Sequence, residues 1–467
     1  MNPTPRFDTT WSAALTQADA AAAASGRNVV LVRDLLGRAS LLIDDREQAL
    51  APEAPELVKL REEFPALTHP FTGAEPVQTA SSLFAPELFF DSAELVVRSD
   101  REPGGAGQVA VLERTVVGAD WSRDTDTDTS PSSERRERRI ALYGFKGGVG
   151  RSTATAILSR HLASRGYCVL VVDLDLESPG VSSLLENPAG LPAHGIVDHL
   201  VESAVGNEAD LDLVTRSSVL PGIEGNGEVW LAPASGKPRE GEPYDYLAKL
   251  NRIYSDLPAA EPGSQPRPFC LRLENAIKAC EDLVAERSRR PDVVLLDSRA
   301  GIHDIAAVTL TQLSGLALLF AVNNPSTWEG YRMMFRQWAQ RPDRASELRS
   351  RLRIVAAMFH SAGDAKRLGA LRDQAYETFS ELLYDDVEAD VVDEFAPDAD
   401  VPAVFHPAPL DSDAPHAPIP ILFGNDLVGL DPYRSRDWLE LPFIEAAYAR
   451  FLAALDRLVP KPRTEAS

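Results

Sequence analysis

The chain has 467 residues, of which 25% are charged and 44% are hydrophobic. This length and this balance are typical of a globular protein of two or three domains, and they exclude a fibrous or fully disordered chain. The formal net charge of −23 argues against broad contact with nucleic acid or anionic lipid, because both carry charge of the same sign.

Residues 1–121 are predicted to form a small α+β domain. A helix is expected at 55–64, since Leu57, Leu60 and Phe64 fall on one helical face. Apolar runs around short turns predict two β-hairpins, with strands at 29–32 and 40–43 and at 95–97 and 109–112. We recognise no catalytic group of side chains in this domain, so we expect it to serve interaction or sensing through a protein partner.

The stretch 122–138 is polar, low in complexity and devoid of core residues. Such a composition cannot bury enough apolar surface to order a chain. We therefore expect a flexible linker here, with a domain boundary.

An apolar run at 140–144 leads into a glycine-rich loop and then a helix. The glycines let the loop turn with its N–H groups inward, and the helix that begins near Ser152 adds its positive dipole end. Lys146 and Arg151 can neutralise phosphate, while the Ser152 hydroxyl is placed to bind Mg²⁺. The loop predicts a nucleotide polyphosphate site, with a plain glycine turn as the alternative. The residues expected to hold the nucleotide are Lys146, Gly147, Gly148, Val149, Gly150, Arg151, Ser152 and Thr153.

Two later strands are predicted to end in carboxylates. The apolar run 168–175 closes on Asp173 and Asp175, and the run 292–297 closes on Asp297. Because ligands bind at the carboxyl ends of parallel strands, we expect these side chains near the glycine loop. A carboxylate there can act on a water beside a phosphate. For Asp173 and Asp175 the alternative is that they only end a strand and start a turn.

The rest of the chain is predicted to complete an α/β domain over 139–459, followed by a tail at 460–467. Strands are expected at 316–322 and 352–359, and a helix that packs on the sheet at 443–459. Two proline-rich stretches at 235–268 and 385–418 are predicted to be inserts, to which we assign no function.

The sequence Lys146-Gly-Gly-Val-Gly-Arg-Ser152 resembles the deviant Walker A motif of the ParA/MinD family of P-loop ATPases, in the SIMIBI class. Lys146 matches the signature lysine of that family. Arg151 replaces the second lysine of the family motif, and the resulting sequence Lys-Gly-Gly-Val-Gly-Arg resembles that of a variant subgroup of these ATPases. The resemblance covers 139 to about 459, and it implies an α/β fold with a mostly parallel P-loop NTPase sheet flanked by helices.

The resemblance also implies roles for the polar residues. Asp175 would help to position the attacking water at the start of switch I, and Asp297 would be the Walker B carboxylate that holds Mg²⁺ with Ser152. Family members sandwich ATP in a homodimer, so Lys146 would touch the phosphates of the other subunit. We therefore expect a slow, Mg²⁺-dependent ATPase that switches with its nucleotide, with Lys146, Asp175 and Arg151 as catalytic residues and Asp175 as a further metal contact.

Several residues depart from the family pattern. Arg151 should still allow nucleotide binding but weaken hydrolysis, because a planar fork grips oxygens differently from an ammonium group. Arg299 replaces a switch II proline and would either reach the γ-phosphate or a partner subunit, or pair with Asp304 or Glu177. Glu177 is a further candidate contact for Mg²⁺ or water. His360 stands where the family reads adenine, and we expect ATP rather than GTP because no Asn-Lys-x-Asp sequence is present.

Two other functions remain open. One is a nucleotide-locked scaffold or regulator that does not hydrolyse ATP, of the kind associated with bacterial conflict systems. The other is a DNA-partitioning ATPase, which would need an exposed arginine cluster; pairing of that cluster with nearby acids is the favoured alternative, so nucleic acid is not an expected partner. The cluster comprises Arg332, Arg336, Arg341, Arg344, Arg349, Arg351 and Arg353.

The sequence also bears on location and on cofactors. No secretory signal and no apolar run near the ~20 residues of a membrane helix are present, so we expect a cytoplasmic protein without membrane contact. The final helix is followed by Pro460-Lys-Pro rather than by a basic amphipathic tail. The three cysteines form no CxxC pair, which excludes the relatives that bind a metal or cluster through one.

Overall fold

A computed structural model describes residues 7–92, 95–98, 107–114, 119–121, 131–220, 223, 225–237, 244–257, 266–359, 364–386, 404–424, 438 and 442–463. The chain divides into two compact units, Met1–Ala119 and Asp120–Ser467. None of the helices formed by these described residues combines the length and the apolar composition that a membrane crossing requires.

The first unit is a small α+β structure, as predicted. Its helices are α1 (Phe7–Ser25), α2 (Pro55–Thr68) and α3 (Glu87–Phe90), and its strands are β1 (Val29–Arg33), β2 (Ala39–Ile43), β3 (Thr72–Thr79), β4 (Val96–Val97) and β5 (Val109–Glu113). The strands form one sheet in the order β3-β2-β1-β5-β4. Antiparallel pairing of β1 with β2 and of β4 with β5 confirms both hairpins, and α2 confirms the predicted helix with four more residues at its end.

Three elements of this unit carry no prediction from the sequence, namely α1, β3 and the four-residue helix α3. Helix α1 buries small side chains on the sheet, namely Ala14, Ala18, Ala21 and Ala22. Alanine is the strongest helix former, but the alanines near the end of α1 occur on every face and give no apolar period. Strand β3 contains Gly73 and Pro76, which are typical of loops and are tolerated here because β3 is an edge strand.

The second unit contains the remaining elements. Its helices are α4 (Ser133–Glu137), α5 (Arg151–Ser164), α6 (Val181–Leu185), α7 (Ile196–Glu202), α8 (Tyr246–Leu250), α9 (Phe269–Arg287), α10 (Asp304–Val308), α11 (Pro325–Ala339), α12 (Pro342–Arg349), α13 (Asp364–Leu382) and α14 (Pro442–Leu458). Its strands are β6 (Arg139–Gly144), β7 (Cys168–Leu174), β8 (Thr215–Arg216), β9 (Glu228–Ala232), β10 (Val293–Ser298), β11 (Leu316–Ala321), β12 (Leu352–Phe359) and β13 (Ile419–Leu422). The strands predicted from the four apolar runs, here β7, β10, β11 and β12, are confirmed.

These eight strands form one sheet in the order β13-β12-β11-β6-β10-β7-β9-β8, parallel throughout except for the antiparallel pair β8 and β9. Helices α5 and α14 pack on one face of the sheet, and α7, α9, α11 and α13 pack on the other. Burial on both faces explains why the strands read as continuous apolar runs rather than as alternating ones. The sheet confirms the predicted α/β fold, and it brings the ends of β6, β10 and β7 side by side.

The linker predicted over 122–138 differs from the structure in its last part. Residues 122–130 lie outside the described residues, but Ser133–Glu137 form α4. Arg135 of this helix pairs with Glu281 at 2.6 Å and with Asp282 at 3.1 Å. A polar composition therefore does not imply flexibility here, because the partners that order the segment lie about 150 residues further along the chain and leave no local signal.

The predicted inserts contain ordered parts. The first includes α8 and an antiparallel bridge between Leu257 and Arg267. In the second, residues 387–403 lie outside the described residues, whereas the Phe405 amide donates to Asp385 at 2.6 Å and the Tyr384 hydroxyl and His416 share a 2.7 Å hydrogen bond. The helix predicted near the end of the chain, α14, packs on the sheet through Ile444, Tyr448, Phe451 and Leu455.

Candidate functional site: a glycine loop facing two carboxylates

The glycine loop lies between the end of β6 and the start of α5. Gly148 has a φ of +73° and Gly150 a φ of +82°, a left-handed conformation that side chains with a Cβ rarely adopt. A Cβ added at either position would meet no other atom within 4 Å, so conformation rather than close packing requires glycine there. The loop thereby turns directly into the N-terminus of a 14-residue helix, where backbone N–H groups are free to bind an anion.

The side chain of Arg151 points back from the start of α5 onto two carboxylates. Its Nη2 lies 2.7 Å from Asp175 Oδ2, and its Nε lies 3.1 Å from Asp297 Oδ1. The residue is only 8% exposed. The planar guanidinium can engage both acids at once, which the single ammonium of a lysine does less well. Its Nη1 is buried and has no hydrogen-bond partner among the described residues, so an anion bound at the loop would satisfy a donor that the protein leaves unused.

Asp297 is the centre of this arrangement. It is fully buried, and its carboxylate accepts hydrogen bonds from Ser152 Oγ at 2.7 Å and from Thr155 Oγ1 at 3.3 Å. Burial raises the pKa of Asp297, while the charge of Arg151 opposes that shift. A serine hydroxyl and a carboxylate in contact are the hard oxygen ligands that Mg²⁺ prefers, so the residues present fit a magnesium ion.

Asp173 has a different environment from its neighbour Asp175. Its carboxylate accepts hydrogen bonds from Ser182 Oγ at 2.7 Å, from the Ser182 amide at 3.1 Å and from the Asp175 amide at 3.3 Å. Burial, together with the nearby charge of Asp297, raises the pKa of Asp173 to about 7. Asp173 therefore shapes the turn after β7, which is the structural alternative considered above, whereas Asp175 reaches the site through Arg151.

Arg299 and Glu177 form an ion pair between the loop after β10 and the loop after β7. Of the possibilities that the sequence left open for Arg299, the structure has the pairing with Glu177. The same carboxylate accepts a hydrogen bond from the Tyr254 hydroxyl, and it lies 3.6 Å from His303 Nε2. Sequence reasoning did not find Tyr254 or His303, because Tyr254 lies 77 residues beyond Glu177 and no local motif connects them.

The other residues expected near the nucleotide occupy the loop and its margins. Lys146, Gly147 and Gly148 are exposed, Val149 is buried, and Thr153 is half-buried on the first turn of α5. His360 lies outside the described residues.

The arginine cluster is largely engaged with neighbouring acids. Arg332 lies 3.4 Å from Glu377 and 3.8 Å from Glu381, and Arg336 lies 3.8 Å from Glu329. Arg349 pairs with Asp385, and Arg351 lies 3.6 Å from Glu347. Arg353 donates to the backbone oxygens of Ser350 and Leu352. These arginines are therefore bonded to neighbouring acids or, for Arg353, to backbone oxygens, rather than forming a cluster of unpaired cations.

Comparison with known proteins identifies the domain that carries the loop. Residues 140–399 match the model of the "CobQ/CobB/MinD/ParA nucleotide binding domain", which is more than half of the chain. The tyrosine-protein kinase YwqD of Bacillus subtilis is 30% identical over 118 residues, 24% of this chain and 50% of that protein. A putative septum site-determining protein MinD of Tupiella akineta is 39% identical over 66 residues, 14% of this chain and 20% of that protein.

The chain thus spans about half and about a fifth of the length of these curated relatives. Among solved structures, the ATP complex of a Cyanothece McdA variant is 14% identical and covers 71% of this chain and 99% of its own, with a TM-score of 0.39. A score of this size lies below the level that marks a shared fold over whole chains, so family membership depends on the domain model and on the loop geometry. The chain belongs to the CobQ/CobB/MinD/ParA family of nucleotide-binding domains.

Proposed function

We propose that this protein binds ATP with Mg²⁺ at the glycine loop, hydrolyses it slowly and uses its nucleotide state as a switch for homodimerisation. The observation that carries the proposal is the contact of Arg151 and Ser152, at the start of α5, with Asp297, and of Arg151 with Asp175. These contacts gather a cation, a hydroxyl and two carboxylates at a helix N-terminus. That is the set of groups that phosphoryl transfer from a magnesium nucleotide needs.

In this proposal the loop N–H groups of residues 147–152 bind the phosphates. Ser152 and Asp297 would hold the Mg²⁺, with Asp175 as a further contact, and the ion when bound would neutralise charge that develops on the phosphates. Asp175 orients the attacking water. Lys146 is exposed on the loop, which suits a residue that reaches the phosphates of a second subunit.

Arg151 explains why turnover would be slow. Its guanidinium must leave Asp175 and Asp297 before either carboxylate can act on the metal or on water. Hydrogen bonds to charged groups contribute about 1.5–3 kcal/mol each, so releasing the two carboxylates adds a substantial free-energy cost before hydrolysis.

The same contacts support one alternative, a nucleotide-locked scaffold. If Arg151 returns to the two carboxylates after binding, the nucleotide stays intact and the protein signals only through its bound state. In either case the first unit, in which we recognise no catalytic group, would carry the output to a protein partner.

The test measures ATP turnover and native molecular mass in the presence of Mg²⁺. Wild type is compared with Asp175→Ala and Lys146→Ala. A switch ATPase loses turnover in both variants and forms an ATP-dependent dimer as the wild type. Tight ATP binding with no turnover in any of the three supports the scaffold, and absence of ATP binding to the wild type refutes both.

A further inference from the structure

A third segment, Tyr244–Leu257, lies beside the loops that follow β7 and β10, and it contacts the first of these loops through two tyrosines. Tyr246 donates its hydroxyl to the backbone oxygen of Leu176, and Tyr254 donates its hydroxyl to the carboxylate of Glu177. Two tyrosines of one segment thus hold two consecutive residues of one loop. This segment belongs to the stretch that the sequence predicts to be an insert.

Tyr254 also contacts the region that follows β10. Its ring meets the ring of His303 edge-on, with centroids 4.8 Å apart, and it packs against Phe269 of α9 at 5.5 Å. Since Arg299 of the same region pairs with Glu177, one carboxylate joins side chains from both loops and from the third segment. The two loops that carry the candidate metal and water contacts are therefore tied together through Glu177.

The spacing along the chain connects this cluster to the site. Glu177 lies two residues after Asp175, and Arg299 lies two residues after Asp297. The sheet pairs Asp297 with Asp173 and Ser298 with Leu174, and the Glu177–Arg299 ion pair continues this contact beyond the ends of both strands. The two carboxylates must stay close to share one cation, whether it is Arg151 or Mg²⁺.

We propose that Tyr254 is a positioning residue that couples the loop after β7 to the loop after β10 and so holds Asp175, the first residue beyond β7, in place beside Asp297. The proposal rests on the proposed function for its effect on ATP, but the coupling itself exists without nucleotide. Tyr254 makes no contact with substrate in this scheme; it acts through Glu177 and His303.

The coupling is tested by amide hydrogen exchange of the nucleotide-free protein. Two reporters are suitable, the Ser178 amide, which donates to Asp175 O at 3.1 Å, and the Gly301 amide, which donates to Gly144 O at 3.3 Å. Tyr254→Phe keeps the ring and removes one hydrogen bond to a carboxylate, so exchange should rise about tenfold or more at both reporters. A rise at the Ser178 reporter alone, or at neither, overturns the coupling.

Tyr244→Phe is the matched control on the same segment. The Tyr244 hydroxyl donates to Asp198 at 2.8 Å and accepts from the Gly236 amide at 3.1 Å, neither of which belongs to the two loops. The substitution keeps the ring, which stacks on Tyr246. Its loss should raise exchange around Gly195 and Gly236 and leave Ser178 and Gly301 unchanged. If this control also speeds exchange at the two reporters, the effect of Tyr254→Phe is a general loosening and the proposal fails.

The second readout is catalytic. Tyr254→Phe should lower kcat about fivefold and leave nucleotide affinity within twofold, because Tyr254 acts at Glu177 and His303 rather than at the proposed phosphate site. An equal loss of affinity and kcat, or no change in kcat of an active enzyme, contradicts the positioning role. If the wild type binds no nucleotide, the proposed function fails, while the exchange data still decide whether Tyr254 couples the loops.

Discussion

Arg151 and Asp297 form an ion pair across the base of the glycine loop, with Nε 3.1 Å from Oδ1 and both side chains removed from solvent. The cation that should serve the phosphates thus lies on the carboxylate that should serve the metal. In the proposed function, this contact has to break before Asp297 can hold the metal. We therefore expect Arg151 to slow ATP hydrolysis rather than to be a neutral replacement for lysine.

Arg151→Lys should raise ATP turnover on the order of tenfold. A lysine keeps the positive charge but cannot bridge Asp175 and Asp297 as a fork, so less free energy is needed to release the two carboxylates for hydrolysis. Steady-state phosphate release at saturating ATP measures the effect. Arg165→Lys, at the far end of α5, is the matched control and should leave turnover unchanged. Unaltered turnover in Arg151→Lys would make the arginine an indifferent variant.

Ser152→Ala should weaken the apparent affinity for Mg²⁺ by about tenfold or more, because the hydroxyl is both a proposed ligand and the partner of Asp297 at 2.7 Å. Nucleotide binding is titrated with Mg²⁺ at fixed ATP to measure it. Ser159→Ala removes a buried hydroxyl from the same helix, one that donates to Ala156 O, and should not alter the Mg²⁺ dependence. Equal Mg²⁺ titrations for the two variants would remove Ser152 from the site.

Asp173→Asn should flatten the pH dependence of stability in the second unit. The pKa of Asp173 is raised from 3.8 to about 7 by burial. Between these two pH values the native state therefore keeps a proton that the unfolded state releases. Its contribution is complete below about pH 4 and is lost as pH rises through about 7, on the order of 4 kcal/mol in total. The Asn side chain keeps an oxygen that can accept from Ser182, and it has no proton to release as the pH rises.

Calorimetric unfolding between about pH 5 and 8 checks this prediction. Wild type should lose more thermal stability than Asp173→Asn as the pH rises. Asp373→Asn, whose side chain is 72% exposed on α13, serves as the control for removal of one negative charge. If the wild type and Asp173→Asn curves stay parallel, the raised pKa does not exist in solution.

Much of the second unit follows from its sequence. Strands β7, β10, β11 and β12 are short apolar runs with clear ends, because each is buried on both faces of a parallel sheet. The residues at those ends, Asp175 and Asp297, fall at the edge that holds the glycine loop, where both contact Arg151. What the sequence did not indicate is that Arg151 would bind the acids themselves.

The parts that could not be predicted depend on distant partners. Helix α4 reads as a linker because its partner Glu281 lies 146 residues away. The cluster around Glu177 depends on Tyr254, which comes from a proline-rich stretch with no motif. Strand β3 tolerates glycine and proline because it lies at a sheet edge, and an edge is a property of the folded sheet alone.

The proposed ATPase switch is tested most directly by ATP turnover and native molecular mass, measured with Mg²⁺ for wild type, Asp175→Ala and Lys146→Ala. We expect slow turnover and an ATP-dependent dimer for the wild type, and loss of turnover in both variants. A wild type that binds ATP tightly, stays monomeric and shows the same absence of turnover as the variants would contradict it.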